Sequence, residues 1–142
     1  MRDMMNNIHP VPLIAPGAAR TDNTAIVSAI IDIRGYDSCT FVIVTGTNTD
    51  ANATFAVLVE HDDASGFGTA AAVDDADLIG TEALAGFQYD DDVECRKIGY
   101  RGNKRYLRVT VTPSGNDSGN IFIAGVAILG NPARGATANP PA

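Results

Sequence analysis

The chain has no tryptophan, and only two cysteines, two histidines and ten lysines and arginines among 142 residues. Each shortage excludes something. Aromatics make up 6% of the chain, too few for the exposed ring platforms on which sugar-binding sandwiches depend. That weakens one alternative, a carbohydrate-binding β-sandwich module, without removing it. Cys39 and Cys95 are too few for a disulfide framework, and they lack the Cys-x-x-Cys spacing of a zinc or redox site. A bridge between them would close a long loop and add roughly 4 kcal/mol in the chain-entropy account. The opening residues, Met1 to Asn7, show no apolar signal-peptide core, so reduced thiols buried beside strands are the expectation. No apolar run approaches the roughly 18 residues of a membrane span. The formal net charge of −7 argues against nucleic acid as a direct partner, because phosphate binding needs a basic footprint.

Catalytic signatures are missing as well. His9 lies in a proline-rich stretch, and His61 precedes Asp62 and Asp63 in what reads as a solvated strand end. No Gly-x-Ser-x-Gly elbow accompanies either, and no phosphate-binding glycine loop follows a strand. The expectation is a non-enzyme with no catalytic residues, no cofactor and no metal. Asp74, Asp75 and Asp77 form one acidic cluster, and Asp90, Asp91, Asp92 and Glu94 another. Without the spacing of a calcium loop, both read as solvated acidic surface.

What the chain does contain is strand after strand. Residues 24–34, 39–45, 54–60, 105–112 and 120–129 are rich in β-branched residues and separated by turn residues. Leu107, Val109 and Val111 alternate with Tyr106, Arg108, Thr110 and Thr112, and Phe55, Val57 and Val59 share a face in the same way. The segment 120–129 is apolar on both faces, which predicts a central strand or one covered by a partner. Weaker strands are expected at 84–89 and 94–100, a short helix or turn at 69–79, and a hairpin loop at 114–119. The predicted fold is all-β: an antiparallel β-sandwich or jelly-roll-like barrel over residues 24–130. An extended N-terminal arm, residues 1–23, carries Pro10, Pro12 and Pro16, and a Pro/Gly-rich C-terminal tail fills residues 131–142.

Charge is distributed unevenly. Residues 50–94 hold 12 acids and no lysine or arginine, whereas residues 96–108 hold Arg96, Lys97, Arg101, Lys104, Arg105 and Arg108 and no acid. Two readings stay open at this point: intramolecular pairing of the two segments, or an assembly contact between copies or with an acidic scaffold. A third, nucleic-acid binding, is opposed by the acidity of the remainder.

Several phrases together resemble a known class. They are Met1 to Ile8 leading into the proline arm, Ile33-Arg34-Gly35-Tyr36-Asp37-Ser38, Arg96 to Gly102, Arg105 to Pro113, and Ala127 to Pro132. The combination resembles small virion structural proteins of tailed bacteriophages, of the kind encoded near the major capsid protein. The resemblance implies a capsid decoration, or cement, protein on the outer surface of the head. It would be a homotrimer at threefold and quasi-threefold sites, made in the host cytoplasm before assembly. Its partners would be the major capsid protein and itself. An alternative in the same particle is a tail or neck component, such as a tail tube or tail terminator. The residues expected to make capsid or inter-subunit contacts are His9, Pro10, Val11, Pro12, Leu13 and Ile14 in the arm, and Arg96, Lys97, Arg101, Lys104 and Arg105 in the basic segment. Val11, Leu13 and Ile14 are apolar enough to lie along a sheet edge or a neighbour's surface, and an arm such as residues 8–16 can add as an edge strand on a neighbour.

Overall fold

The computed structural model describes residues 3–141; Met1, Arg2 and Ala142, at the ends of the expected arm and tail, lie outside the described residues. Eleven strands follow one another: β1 (Ile8–Ile14), β2 (Ile26–Val27), β3 (Ile31–Asp32), β4 (Tyr36–Thr45), β5 (Thr54–Asp62) and β6 (Ala71–Ala72). Then come β7 (Leu78–Ile79), β8 (Phe87–Gln88), β9 (Cys95–Tyr100), β10 (Tyr106–Ser114) and β11 (Ile123–Pro132). A single helical turn, α1 (Glu82–Ala85), and two 3₁₀ turns, Met5–Asn7 and Asp75–Asp77, complete the described elements.

The strands form two antiparallel sheets packed face to face. One has the order β1-β11-β4-β9-β7; the other has the order β2-β10-β5-β6, with β3 also on β10 and β8 also on β5. This is the expected β-sandwich. Its core is the set of inward positions that the alternation defines. Phe41 and Ile43 on β4, Ile98 on β9 and Ala127 and Leu129 on β11 meet Phe55 and Val59 on β5 and Leu107, Val109 and Val111 on β10. None of these ten side chains is more than 2% exposed. Burying one such aliphatic or phenyl group stabilises the fold by about 1.5–3 kcal/mol, so the alternation dominates the energetics.

Four expectations need correction. Residues 24–34 are not one strand. Ser28 interrupts them: its N–H donates to Val109 C=O at 2.9 Å, and its hydroxyl accepts from Val109 N–H at 2.9 Å. A side chain thus takes a ladder position, and β2 and β3 pair separately with β10. Of the short helix or turn expected at 69–79, only a 3₁₀ turn at Asp75–Asp77 is present. β6 pairs with Glu60 and His61 of β5, and Val73 N–H donates to Val59 C=O, so tertiary pairing prevails over a helix too short to nucleate. The helical turn lies instead at 82–85, where Thr81 Oγ1 accepts from Leu84 N–H; it overlaps only the start of the weak strand expected at 84–89, within which β8 does form. Residues 114–119 do not close a hairpin, since β10 and β11 belong to different sheets and the loop crosses between them.

The fourth correction concerns the arm. Residues 8–14 are extended as expected, but the sheet edge they cover belongs to their own chain, through β11. Leu13 and Ile14 are buried in the core. Proline cannot donate to a ladder, so Pro10 and Pro12 must turn their nitrogens to the free side of β1. That side therefore lacks two donors, and the edge is poorly suited to pairing with a further strand. At the other end β11 runs on to Pro132, and the tail folds back: Thr137 Oγ1 donates to Ile8 C=O at 2.6 Å.

The crossover loops are held by a buried carboxylate. Asp50 accepts from Asn52 N–H at 3.0 Å, Ser118 N–H at 3.0 Å, Ser118 Oγ at 3.1 Å and Asp117 N–H at 3.3 Å. These donors hold its pKa down at about 2. Gly119 passes so close to Asp50 that a Cβ would stand 2.3 Å from the Asp50 nitrogen. Because Asp50 is more acidic in the folded chain than in the unfolded one, the unfolded state binds more protons between the two pKa values, and stability rises with pH there. The contribution is complete above the ordinary aspartate value of 3.8 and is lost as pH falls toward 2. Chemical denaturation from pH 5 down to pH 2 is expected to show this loss, with a shallower acid limb in Asp50→Asn.

Candidate functional site

The two outer faces of the sandwich differ. On the β10–β5 sheet the outward side is mixed: Val27 and Leu58 flank Thr110 and are exposed, beside a charge-paired stretch. Arg108 donates through Nε and Nη2 to Glu60 Oε2 at 3.1 and 2.8 Å, and its guanidinium lies 4.6 Å from the centroid of the Phe67 ring. Thr110 and Thr112 continue that face.

The outer face of the five-stranded sheet is apolar, and antiparallel register arranges it in rows. Paired residues point to the same side of a sheet, and residues two apart repeat the direction. One row runs Pro12–Val126–Val42–Lys97 across β1, β11, β4 and β9. The next runs Pro10–Ile128–Thr40–Gly99, where Ile79 of β7 lies over the glycine. The third runs Ala124–Val44–Cys95. Phe122, just before β11, stands beside it and is 56% exposed. Lys97 is the one charged side chain in these rows. Four strands about 4.8 Å apart and some seven residues long give a footprint of roughly 400–500 Å². The largest apolar patch on a typical soluble protein is of this order, about 300–600 Å², and is often functional.

The doubly apolar character of 120–129 is thereby accounted for in two ways. Its inward residues Ile123, Gly125, Ala127 and Leu129 belong to the core, and its outward residues Ala124, Val126 and Ile128 form the middle of this face. The strand is central in its sheet, yet one of its faces is open.

The residues singled out from the sequence do not converge. β1 and β9 are three strands apart in the sheet order, about 14 Å. In the first set, His9 stacks on Tyr36 with ring centroids 5.4 Å apart, Val11 packs against the core, and Leu13 and Ile14 are buried; only Pro10 and Pro12 are presented outward. In the second set most charges are already matched. Arg96 Nη2 lies 2.9 Å from Asp91 and 2.7 Å from Glu94. Arg105 forms a two-point pair with Asp32 at 2.9 and 2.7 Å, which holds the Asp32 carboxyl below its usual range. Lys104 pairs with Asp63, and that hydrogen bond raises the lysine pKa. Arg101 Nε donates to Ala76 C=O at 2.7 Å. Of the two open readings of the charge layout, pairing of the two segments describes Arg96, Lys104 and Arg108, whereas Arg105 is paired with Asp32, outside the acidic segment. Lys97 alone of the five expected contact bases lies on the apolar face.

Beneath the basic segment, buried Tyr100 shapes the 101–104 loop. Its hydroxyl accepts from Lys104 N–H at 2.9 Å and lies 3.0 Å from His61 Nδ1. Among the described residues no group of three or more His, Cys, Asp or Glu side chains is arranged to hold a metal ion. The second apolar side of 120–129 pointed to this face in the sequence; the outward residues of 39–45 that widen it, Val42 and Val44, were not singled out.

No protein-family model matches this chain, and no curated protein matches it significantly. Comparison with solved structures gives only distant likenesses. The Clostridium thermocellum endo-1,4-β-D-xylanase 10B CBM22-1–GH10 modules align with 92% of this chain at 9% identity and a TM-score of 0.43. Latent PorU from Porphyromonas gingivalis aligns with 88% at 10% identity and a TM-score of 0.43. A family two carbohydrate esterase from Cellvibrio japonicus aligns with 92% at 12% identity and a TM-score of 0.34. The chain spans 27%, 13% and 36% of those chains, respectively. These likenesses carry no argument about function.

Cys39 and Cys95 sit on neighbouring strands but are out of register: Cys39 stands opposite Tyr100 and Cys95 opposite Val44. Both are free thiols, Cys39 buried and Cys95 exposed on the apolar face. Burial pushes the Cys39 thiol up to about 12. Titration of the native protein with an aromatic disulfide reagent is expected to count one thiol per chain, and two after denaturation. A Cys95→Ser variant should give none while folded.

Proposed function

We propose that this chain is a structural virion protein that decorates and stabilises the outer surface of a tailed-phage capsid. It bridges major capsid protein subunits as a homotrimer at threefold and quasi-threefold sites. The observation that supports the reading best is the apolar outer face of the β1–β11–β4–β9 rows, continuous over four strands, on a chain of net charge −7. Such a face supplies non-directional adhesion over a rigid footprint, which is what cementing subunits against outward pressure requires. Lys97 at its rim adds orientation to the contact and little affinity. The fold also bears on how contact is made. An arm reaching into a neighbour has little scope here, because residues 8–14 pair with the chain's own β11. The body of the sandwich therefore makes the contact, through side chains that β4 and β11 hold rigidly.

Avidity completes the picture. A footprint of roughly 400–500 Å² per copy is below the ~800 Å² per partner of a stable two-body complex, so one contact alone is weak. Three linked copies engaging together bind far more tightly than one, through effective concentration and without any new contact.

Val42 and Val126 are adjacent in the central row and partly exposed, so charge there perturbs the face and not the core. Val42→Asp with Val126→Asp is expected to lower co-sedimentation with capsids by more than about tenfold while the melting temperature moves by only a few degrees. Full capsid occupancy by the double variant would refute this assignment of the face. Rings or tubes in solution, in place of trimers, would move the protein to the tail or neck.

A further inference from the structure

The apolar face is not flat, and the cause lies in β1. Its register against β11 slips by one residue: Pro12 stands opposite Val126, but Ile14 stands opposite Gly125. Leu13 is the extra residue, as in a β-bulge. Leu13 and Ile14 therefore both turn inward, at 2% and 5% exposed. The outward side chain that alternation would place next after Pro12 is missing. Beside that gap stands Ala124, the smallest of the outward residues Phe122, Ala124, Val126 and Ile128. Ala124 pairs with Val44 on one side and has no β1 residue opposite it on the other.

The missing side chain and the small one leave a hollow of about 380 Å³, within the size range of ligand pockets. Pro12, Pro16, Ala124 and Val126 are among its walls, and no residue lining it has a polar side chain. Pro12 and Pro16 are exposed and Val126 is 37% exposed, so the hollow opens to solvent. Ring-locked prolines and a β-branched valine hold its shape before anything binds. Pro16 and Ala124 also border a second hollow of about 230 Å³, which continues toward Val44 and Phe122.

We infer that this hollow is the anchor socket of the apolar face, and that it takes one bulky uncharged apolar side chain of the capsid protein, such as leucine, methionine or phenylalanine. The inference rests on the capsid reading of the face and says how that contact is held. A footprint of roughly 400–500 Å² is small against the ~800 Å² per partner of a stable complex. Small interfaces gain affinity and specificity from a few side chains seated in pockets, which carry most of the binding energy. The chemistry of the lining selects the occupant. A charged or hydrogen-bonding side chain would lose its water here and find no side-chain partner. A backbone strand is disfavoured as well, because Pro10 and Pro12 leave the adjoining edge without donors.

The test is co-sedimentation of the full chain with capsids over a range of concentrations. Ala124→Leu fills the hollow while it adds apolar area to the face, so flat adhesion and an anchored contact give opposite results. The variant is expected to lose at least tenfold in affinity with its melting temperature within a few degrees of the parent. Thr40→Leu adds apolar area in another row, away from the hollow, and should strengthen binding severalfold. A second form fills the hollow only after folding: Ala124→Cys with Cys95→Ser, joined to benzyl mercaptan as a mixed disulfide. It should lose binding at least tenfold and regain it on reduction. Undiminished binding by the Ala124→Leu chain or the benzylated chain overturns the inference, as does an equal loss in Thr40→Leu. So would loss of self-association on benzylation with capsid binding retained, which would give the socket to Phe122 of a second copy. Loss of binding in Val42→Asp with Val126→Asp, beside undiminished binding by the filled forms, would remove the socket and keep the face. Full occupancy by the double aspartate variant would remove both.

Discussion

Everything in this molecule depends on burying one face of each sheet against the other. Phe41, Leu129, Val59 and Val109 come from four strands distant in sequence, and each is at most 1% exposed. Because side chains alternate along a strand, this burial also decides what points outward. Once Phe41 and Ile43 face in, Val42 and Val44 must face out, and once Ala127 and Leu129 face in, Val126 and Ile128 must face out. The apolar outer face follows from the core, given two runs, Phe41 to Val44 and Val126 to Leu129, that are hydrophobic at every position.

The second constraint is the management of edges. β1 closes one side of the five-stranded sheet with prolines at two of the positions where a donor would face a neighbour. Elsewhere, short segments and single side chains complete the ladders. Ser28 takes a place beside β10, and Glu82 takes one beside β5. These substitutions break two long ladders into pieces and leave an open stretch at Val57 among the described residues. Polar satisfaction thus shapes the sheet rim, as core packing shapes the face.

Electrostatics takes a supporting part. The acidic and basic blocks of the sequence meet in space as paired neighbours on β5 and β10 and in the loops around them, as with Glu60–Arg108 and Asp63–Lys104. Exposed pairs of this kind contribute little to stability. Their consequence is instead to remove most of the basic segment from the surface available to partners, and to leave Lys97 isolated on an uncharged field.

The sequence alone determined the architecture and the inward positions. Period-two alternation in 54–60 and 105–112 is a local property, and it survives folding unchanged because burial rewards it directly. What only the tertiary structure decided is which strands become neighbours. Pairing across sheets made a crossover of the 114–119 loop, turned an expected reaching arm into an edge strand, and aligned Pro12, Val126, Val42 and Lys97 in one row. Register between residues far apart in the chain arises from the packing of whole sheets, and no local pattern encodes it.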